Sequence, residues 1–141
     1  MPEGAGAYIL LVALDGPLAL DAATLAAAVL GPGRYAYCGS AYGPGGLAAR
    51  LGRHLHRDKA VRWHIDRLTT AGRVVAVLAL PGGRECDLFA RVLACPGASV
   101  PVPGFGSSDC RRCPAHLAAV PEDFDAMAIA SAVPAAGFDT P

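Results

Sequence analysis

The chain has 141 residues, of which 53% are hydrophobic and 17% charged, and its formal net charge is zero. This length suits one domain with a sizeable core, and the composition excludes a disordered chain. The longest apolar runs are too short to span a bilayer and the start MPEGAGAY lacks the basic region of a secretory signal, so we expect a cytoplasmic protein with no membrane partner.

The first part of the chain predicts two strands with a helix between them. AYILLVAL at 7–14 is a continuous apolar run, typical of a buried strand. An alanine-rich helix is expected over 22–30, and RYAYCG at 34–39 predicts the second strand. Alternation along this second strand places Tyr35 and Tyr37 on one face and Ala36 and Cys38 on the other.

The middle of the chain predicts two helical segments and a third strand. A helix is expected over about 46–57, where Arg50 and His54, four residues apart, share a face. The stretch 58–72 predicts another helix or helical turn, and RVVAVLAL at 73–80 predicts a strand. The leucines expected to form the buried stripe of the first helix are Leu47, Leu51 and Leu55.

The last part predicts a helix followed by a long loop. RECDLFARVLAC at 84–95 has the apolar spacing of a short helix. Glycine and proline dominate 96–117, which is therefore expected to be mostly loop, and a short helix is expected around 122–132. The residues expected to face inward from the helix over 84–95 are Leu88, Phe89, Val92 and Leu93.

These elements together predict an α/β, more narrowly α+β, fold. We expect a three-stranded mixed or antiparallel sheet flanked by helices, with an extra helix inserted between the first two strands. A single domain is expected over 1–141, with its core over about 6–118 and an acidic, partly mobile tail over 119–141.

Charge is unevenly distributed in this neutral chain. Basic residues outnumber acidic ones between Arg50 and Arg73, which indicates an anionic partner, although a solvated helix face is the alternative. The chain has no Asn and no Gln, two of the residue types that read base edges. If nucleic acid is the partner, recognition of phosphate and shape is therefore favoured over reading of sequence.

Two short motifs resemble the signatures of the GIY-YIG nuclease superfamily. Gly6-Ala7-Tyr8 resembles the first signature, and Tyr37-Cys38-Gly39 resembles the second. The following GSAYGPGGLAARLGRH is similar to that superfamily's loop, its Leu-x-x-Arg and its His four residues later. Together with Glu85 and the segment GFGSSDCRRCPAHL, the chain resembles an uncharacterised prokaryotic branch of the superfamily over about 6–118. The superfamily usually has a shorter connection between its two tyrosine motifs, and many relatives have an Asn near the metal site.

The resemblance implies a metal-dependent endonuclease that hydrolyses phosphodiester bonds in DNA, in repair or processing. Glu85 would hold one Mg²⁺ or Mn²⁺, and Arg50 would bind the scissile phosphate. Tyr8 would accept a proton from the attacking water or orient that water, Tyr37 would shape the site, and His54 would assist proton transfer or phosphate binding. The further nucleic-acid contacts would come from Arg53, Arg57, Lys59, Arg62, Ser107 and Ser108.

Each of these residues has a structural alternative. Tyr8 and Tyr37 could be core aromatics, Arg50 a surface charge, and Glu85 an acid that favours a helix N-terminus. At the level of the whole protein, the alternatives are a catalytically inactive nucleic-acid-binding module and a zinc-stabilised interaction module of a repair assembly.

The cysteines favour metal binding or packed thiols over a disulfide framework. Five cysteines are an odd number, and without a secretory signal a disulfide framework is not expected. Cys110-x-x-Cys113-x-x-His116 has the close spacing of zinc ligands, with packed thiols as the alternative. A tetrahedral zinc needs a fourth ligand, which could be Cys86, Cys95 or Asp109.

Overall fold

The structure, a computed structural model, describes residues 4–20, 28–43, 45–56, 64–103, 105 and 115–132. Its elements in chain order are β1 (Gly6–Leu14), β2 (Leu18–Ala19), β3 (Val29–Leu30), β4 (Gly33–Ala41), α1 (Gly46–Leu55), α2 (His64–Ala71), β5 (Arg73–Pro81), α3 (Glu85–Leu93), β6 (Leu117–Val120) and α4 (Ala126–Ala132). Within these described ranges, no helix is long and apolar enough to cross a membrane.

A four-stranded antiparallel sheet in the order β5-β1-β4-β6 forms the centre of the domain. All nine residues of β1 are buried, because β1 has a strand on each side and helices over both faces. The apolar run AYILLVAL is therefore a two-sided core strand, which explains its lack of alternation.

The helices divide between the two faces of this sheet. Alternate side chains of β1 and β4, with Tyr8 and Tyr37 among them, pack with α1 and α2 on the first face. Their neighbours, with Ile9 and Cys38 among them, pack with α3 and α4 on the second face. The expected separation of tyrosines from Ala36 and Cys38 on β4 is confirmed.

The α+β class is confirmed, and two details of the expected fold are corrected. The sheet has four strands where three were expected, because the short run Leu117–Val120 pairs with β4. The helix expected over 22–30 is wrong at its end, since Val29–Leu30 pairs with Leu18–Ala19 as a strand. Residues 21–27 lie outside the described residues.

Two smaller expectations also change. Leu55 is 47% exposed, because α1 ends at this residue and the chain leaves the sheet, so the buried stripe consists of Leu47 and Leu51. The expected C-terminal tail is packed in part, since β6 reaches Val120 and Ile129 of α4 is buried against the second face.

Candidate functional site

The candidate site lies where β4 ends, beside the first half of β1. Tyr8 pairs across the sheet with Gly39, and a Cβ atom at Gly39 would overlap the ring and hydroxyl of Tyr8. The glycine is therefore required because the Tyr8 ring crosses its backbone. This packing gives a physical reason for a tyrosine on one strand and a Tyr-x-Gly on the next.

A cluster of three rings fills the space under α1. The Tyr8 hydroxyl lies 2.7 Å from Nε2 of His54, a contact between residues 46 positions apart. Tyr37 completes the cluster, with its ring centroid 6.3 Å from that of Tyr8 and 6.1 Å from that of His54. Tyr8 and His54 are fully buried, so the imidazole faces the sheet and not the solvent.

Arg50 stands one helical turn before His54 and links α1 to the end of β4. Its Nη1 donates to the carbonyl oxygen of Ser40 at 3.0 Å. Its guanidinium lies close enough to the Tyr8 hydroxyl to lower the pKa of that hydroxyl. The tautomer of His54 decides whether Tyr8 or Nε2 of His54 donates in the bond between them. Arg50 lines a pocket of about 180 Å³.

Glu85 approaches the same strand end from the second face. It is the first residue of α3 and lines a cleft of about 440 Å³ with Ser40 of β4 and with Tyr42. The Tyr42 hydroxyl donates to the carbonyl oxygen of Gly83 at 2.7 Å, which ties the loop after β4 to the turn before α3. Ser40 and Ala41, adjacent in the chain, thus line the Glu85 cleft and the Arg50 pocket respectively.

The charges of these groups act on both tyrosines. Burial raises the pKa of Tyr8 to about 12; Arg50 opposes this shift, and the Glu85 carboxylate adds to it. Burial also raises the pKa of Tyr37, again with Glu85 raising it and Arg50 lowering it. The four side chains from β1, β4, α1 and α3 therefore share one electrostatic environment. At neutral pH both tyrosines are uncharged phenols.

Behind this cluster, a buried ion pair joins α1 to α2. Arg53 donates from Nη1 and Nη2 to the two carboxylate oxygens of Asp66, at 2.7 and 2.9 Å. Asp66 is fully buried, and its hydrogen bonds raise the pKa of Arg53. Arg53, expected to contact nucleic acid, joins the two helices beside His54 and also lines the Arg50 pocket.

The structure thus brings together Tyr8, Tyr37, Arg50 and His54, with Glu85 at the adjoining cleft. His116 lies on the second face of the sheet, against Phe89 and Cys86. Several expected site residues lie outside the described residues: Arg57, Lys59, Arg62, Ser107, Ser108, Cys110 and Cys113.

Sequence reasoning missed two contributors to the site. Asp66 was not among the expected site residues, although an acid thirteen positions after Arg53 could have suggested a pair between consecutive helices. Tyr42 gave no signal, because its partner is a backbone carbonyl and any residue could supply that.

A metal ion at Glu85 can be tested against the donor set. Among the described residues there is no group of three or more His, Cys, Asp or Glu side chains that could hold a metal. Mg²⁺ keeps several waters and binds through one or two carboxylates, so one carboxylate at an open cleft is compatible with a hydrated Mg²⁺.

Comparisons with known proteins give a family but no activity. The model of the domain of unknown function DUF123 matches residues 7–136. No curated protein and no solved structure matches the chain. The match covers most of the chain, including Tyr8, the second tyrosine motif, α1 and α3, and the chain therefore belongs to the DUF123 family.

Proposed function

We propose that this domain is a metal-dependent endonuclease of the GIY-YIG type, hydrolysing phosphodiester bonds in DNA in the cytoplasm. The observation that carries the proposal is the buried hydrogen bond between Tyr8 and His54, with Arg50 and Glu85 close enough to act on the pKa of Tyr8. Tyr8 and His54 are 46 positions apart in the chain, and their polar atoms meet inside an apolar core. A core that needed only packing would gain nothing from a buried histidine.

Arg50 and Glu85 are the groups that reach the two cavities, so they are assigned to the substrate. Arg50 can bind two oxygens of the scissile phosphate at once and stabilise the charge that develops there. Glu85 would hold Mg²⁺ or Mn²⁺, which when bound supplies charge stabilisation and lowers the pKa of a bound water.

Tyr8 is an uncharged phenol in the resting protein and not a resting base. With a pKa of about 12 it keeps its proton at neutral pH. Its hydroxyl can take up another group's proton only by passing its own to His54, which lies 2.7 Å away. Its main role is therefore to hold Arg50, with His54 as the group that takes the proton whenever transfer occurs.

The test uses supercoiled plasmid and branched DNA with Mg²⁺ or Mn²⁺. Arg50→Ala and Glu85→Ala are expected to reduce cleavage by about 10²-fold or more, as for other preorganised stabilising groups. Arg73→Ala is the matched control for lost positive charge, since Arg73 is exposed at the start of β5. Asp87→Ala is the control for Glu85, because it removes an exposed acid from the same first turn. Cleavage that survives both site substitutions would overturn the assignment.

The second candidate is a nucleic-acid-binding module without turnover. The complete burial of Tyr8 and His54 favours it, since neither side chain is open to a substrate water. Under this alternative, wild type shows no cleavage, and binding weakens with salt and falls in Arg50→Ala.

A further inference from the structure

An exposed tyrosine lies at the cleft that Glu85 enters. Tyr42 directly follows β4, and its side chain is 58% exposed. Its hydroxyl donates to the carbonyl oxygen of Gly83 at 2.7 Å, although the two residues are 41 positions apart. The ring therefore spans from the loop after β4 to the turn before α3, and residues of both segments line the cleft.

This hydrogen bond fixes the orientation of a ring that is otherwise largely open to solvent. A surface tyrosine ordinarily keeps its hydroxyl in water and its ring free to change rotamer. The Tyr42 ring is held at its far end by the backbone of Gly83. A ligand that contacts the ring loses little free energy in immobilising it, which is the advantage of a preorganised site.

The cleft beside Tyr42 has the size and the charges of a nucleotide site. Its volume of about 440 Å³ falls within the range of about 300–1,000 Å³ that is typical of small-molecule and cofactor sites. Arg84 is exposed and lines the cleft next to Glu85. An aromatic ring beside a guanidinium suits a nucleotide, because the base can stack on the ring while the phosphate binds the guanidinium.

The cleft adjoins the pocket assigned to the scissile phosphate. Ser40 lines the cleft, the next residue, Ala41, lines the Arg50 pocket, and Nη1 of Arg50 donates to the carbonyl oxygen of Ser40. A phosphate at Arg50 therefore places the base of an adjoining nucleotide within reach of the cleft. Inside a duplex that base is paired and stacked, so it enters the cleft only when it is unpaired.

We propose that Tyr42 is a stacking platform for an unpaired base beside the phosphate held by Arg50, in single-stranded or branched DNA. Arg84 binds the backbone of the same strand. The choice of DNA as ligand rests on the function proposed above. Stacking accepts every base, which suits a chain without Asn or Gln to read base edges.

The test compares two strands that differ only in their bases. The first is an oligothymidylate of about eight nucleotides, within the site sizes of single-strand-binding domains, and the second is an abasic strand of equal length. Dissociation constants are measured by fluorescence anisotropy with a chelator present, so that no metal-dependent cleavage occurs. Wild type is expected to prefer the strand with bases by about tenfold or more, and Tyr42→Ala to bind both strands equally. A Tyr42→Ala variant with the wild-type preference would overturn the proposal.

Two further variants separate stacking from other effects of the substitution. Tyr42→Phe keeps the ring and loses the hydrogen bond to Gly83, so it is expected to retain most of the preference. Equal losses in Tyr42→Phe and Tyr42→Ala would assign Tyr42 to joining the two loops and would exclude stacking. Met127→Ala is the matched control, because it removes a side chain that is 62% exposed on α4, and its preference is expected to equal that of wild type. A lost preference in Met127→Ala would contradict the assignment to the cleft.

Photo-crosslinking locates the contact without any substitution. A strand that carries iododeoxyuridine is irradiated in complex with wild type, and the adduct is identified by peptide mass spectrometry. The adduct is expected on the peptide that contains Tyr42. Adducts confined to other peptides, or a wild type that binds neither strand, would overturn the proposal.

The base site and the nuclease can fail separately in these measurements. Plasmid cleavage that depends on Arg50 and Glu85, together with a base preference that Tyr42→Ala leaves unchanged, would remove the base site and keep the nuclease. A base preference that depends on Tyr42, in a protein that cleaves no DNA, would keep the base site and remove the nuclease.

Discussion

The two faces of the central sheet bury different chemistry. On the first face, Tyr8 lies under a helix that contributes His54, and the Arg53–Asp66 pair joins that helix to the next. On the second face, the neighbouring Ile9 lies under the apolar side of α3, with Phe89 packed against it. Adjacent residues of one strand thus point into a polar and an apolar interior.

This difference indicates which face of the sheet buries polar groups, and burying polar groups costs free energy. Buried polar groups need partners, and on the first face hydrogen bonds between separate elements supply partners to Tyr8, His54 and Asp66. The second face buries His116 against Cys86 and Phe89 and is otherwise an apolar core that positions α3, and with it Glu85. We therefore expect substitutions in the polar cluster of the first face to change both stability and activity, and substitutions in the apolar core of the second face to change stability alone.

The largest expected effect is at the Arg53–Asp66 pair. Arg53→Ala leaves the fully buried Asp66 carboxylate without its partner, and breaking a pair in this way costs about 3–5 kcal/mol of unfolding free energy. The matched control is Arg73→Ala, because Arg73 pairs with Asp15 at 3.8 Å on the surface and that pair is expected to contribute about 0–1 kcal/mol. Urea denaturation measures both. Equal losses of unfolding free energy in the two variants would mean that the Arg53–Asp66 pair contributes no more to stability than a surface pair.

The next largest effect is expected at Gly39, a residue of β4 whose backbone lies against the Tyr8 ring. Gly39→Ala adds a Cβ that overlaps the Tyr8 ring, so the ring must move, at a cost of about 1–3 kcal/mol. Gly52→Ala is the control, since a Cβ there meets nothing within 4 Å and the position is helical. We expect Gly52→Ala to be neutral or slightly stabilising. A Gly39→Ala variant as stable as wild type would contradict the packing described.

The elements predicted from sequence were those with a strong local signal. The apolar runs of β1 and β5 and the four-residue spacing in α1 and α3 define these elements within one or two residues at most ends. The strand β6 was not predicted, because four apolar residues are too few to show a periodic pattern and because its pairing with β4 is non-local. The end of the helix expected over 22–30 is a strand, because Val29–Leu30 pairs with Leu18–Ala19. Local propensity cannot predict a pairing between residues this far apart in the chain.

The motifs predicted which residues belong to the site, but they did not predict how those residues contact one another. Spacing alone could put Arg50 and His54 on one helical face, yet it could not say that His54 faces inward to Tyr8 while Arg50 reaches Ser40. Nor could it show that Arg53 has a carboxylate partner. Such contacts depend on how helices cross the sheet, which the sequence of one helix does not contain.

Substitutions at the adjacent residues Tyr8 and Ile9 directly test the difference between the two faces of the sheet. Tyr8→Phe keeps the ring but leaves a buried nitrogen of His54 without its hydrogen-bond partner, at a cost of about 1–3 kcal/mol. Ile9→Val removes one methylene from the apolar face, at about 0.5–1.5 kcal/mol. If Tyr8 orients Arg50, DNA cleavage per folded molecule falls about tenfold or more in Tyr8→Phe and is unchanged in Ile9→Val. Equal activities in the two variants would place Tyr8 in the core alone.

The last expected effect appears only at alkaline pH. The pKa of Tyr8 rises from 10.0 to about 12 on folding, so between these values the unfolded chain loses a proton that the folded chain keeps. Stability is therefore full below pH 10 and falls as pH rises toward 12, by about 1.4 kcal/mol per pH unit for one tyrosine. Tyr37 acts in the same direction, because burial also raises its pKa.

Unfolding free energies measured at several pH values from 9 upward should therefore fall less steeply in Tyr8→Phe than in wild type. Tyr42→Phe serves as the control for the loss of one tyrosine hydroxyl, because Tyr42 is 58% exposed. The slope separates the two faces without any assay of activity, since Ile9→Val lowers stability by the same amount at every pH. A slope in Tyr8→Phe equal to that of wild type would mean that the Tyr8 hydroxyl is not held in a buried environment, and the distinction between the faces would then fail at its central residue.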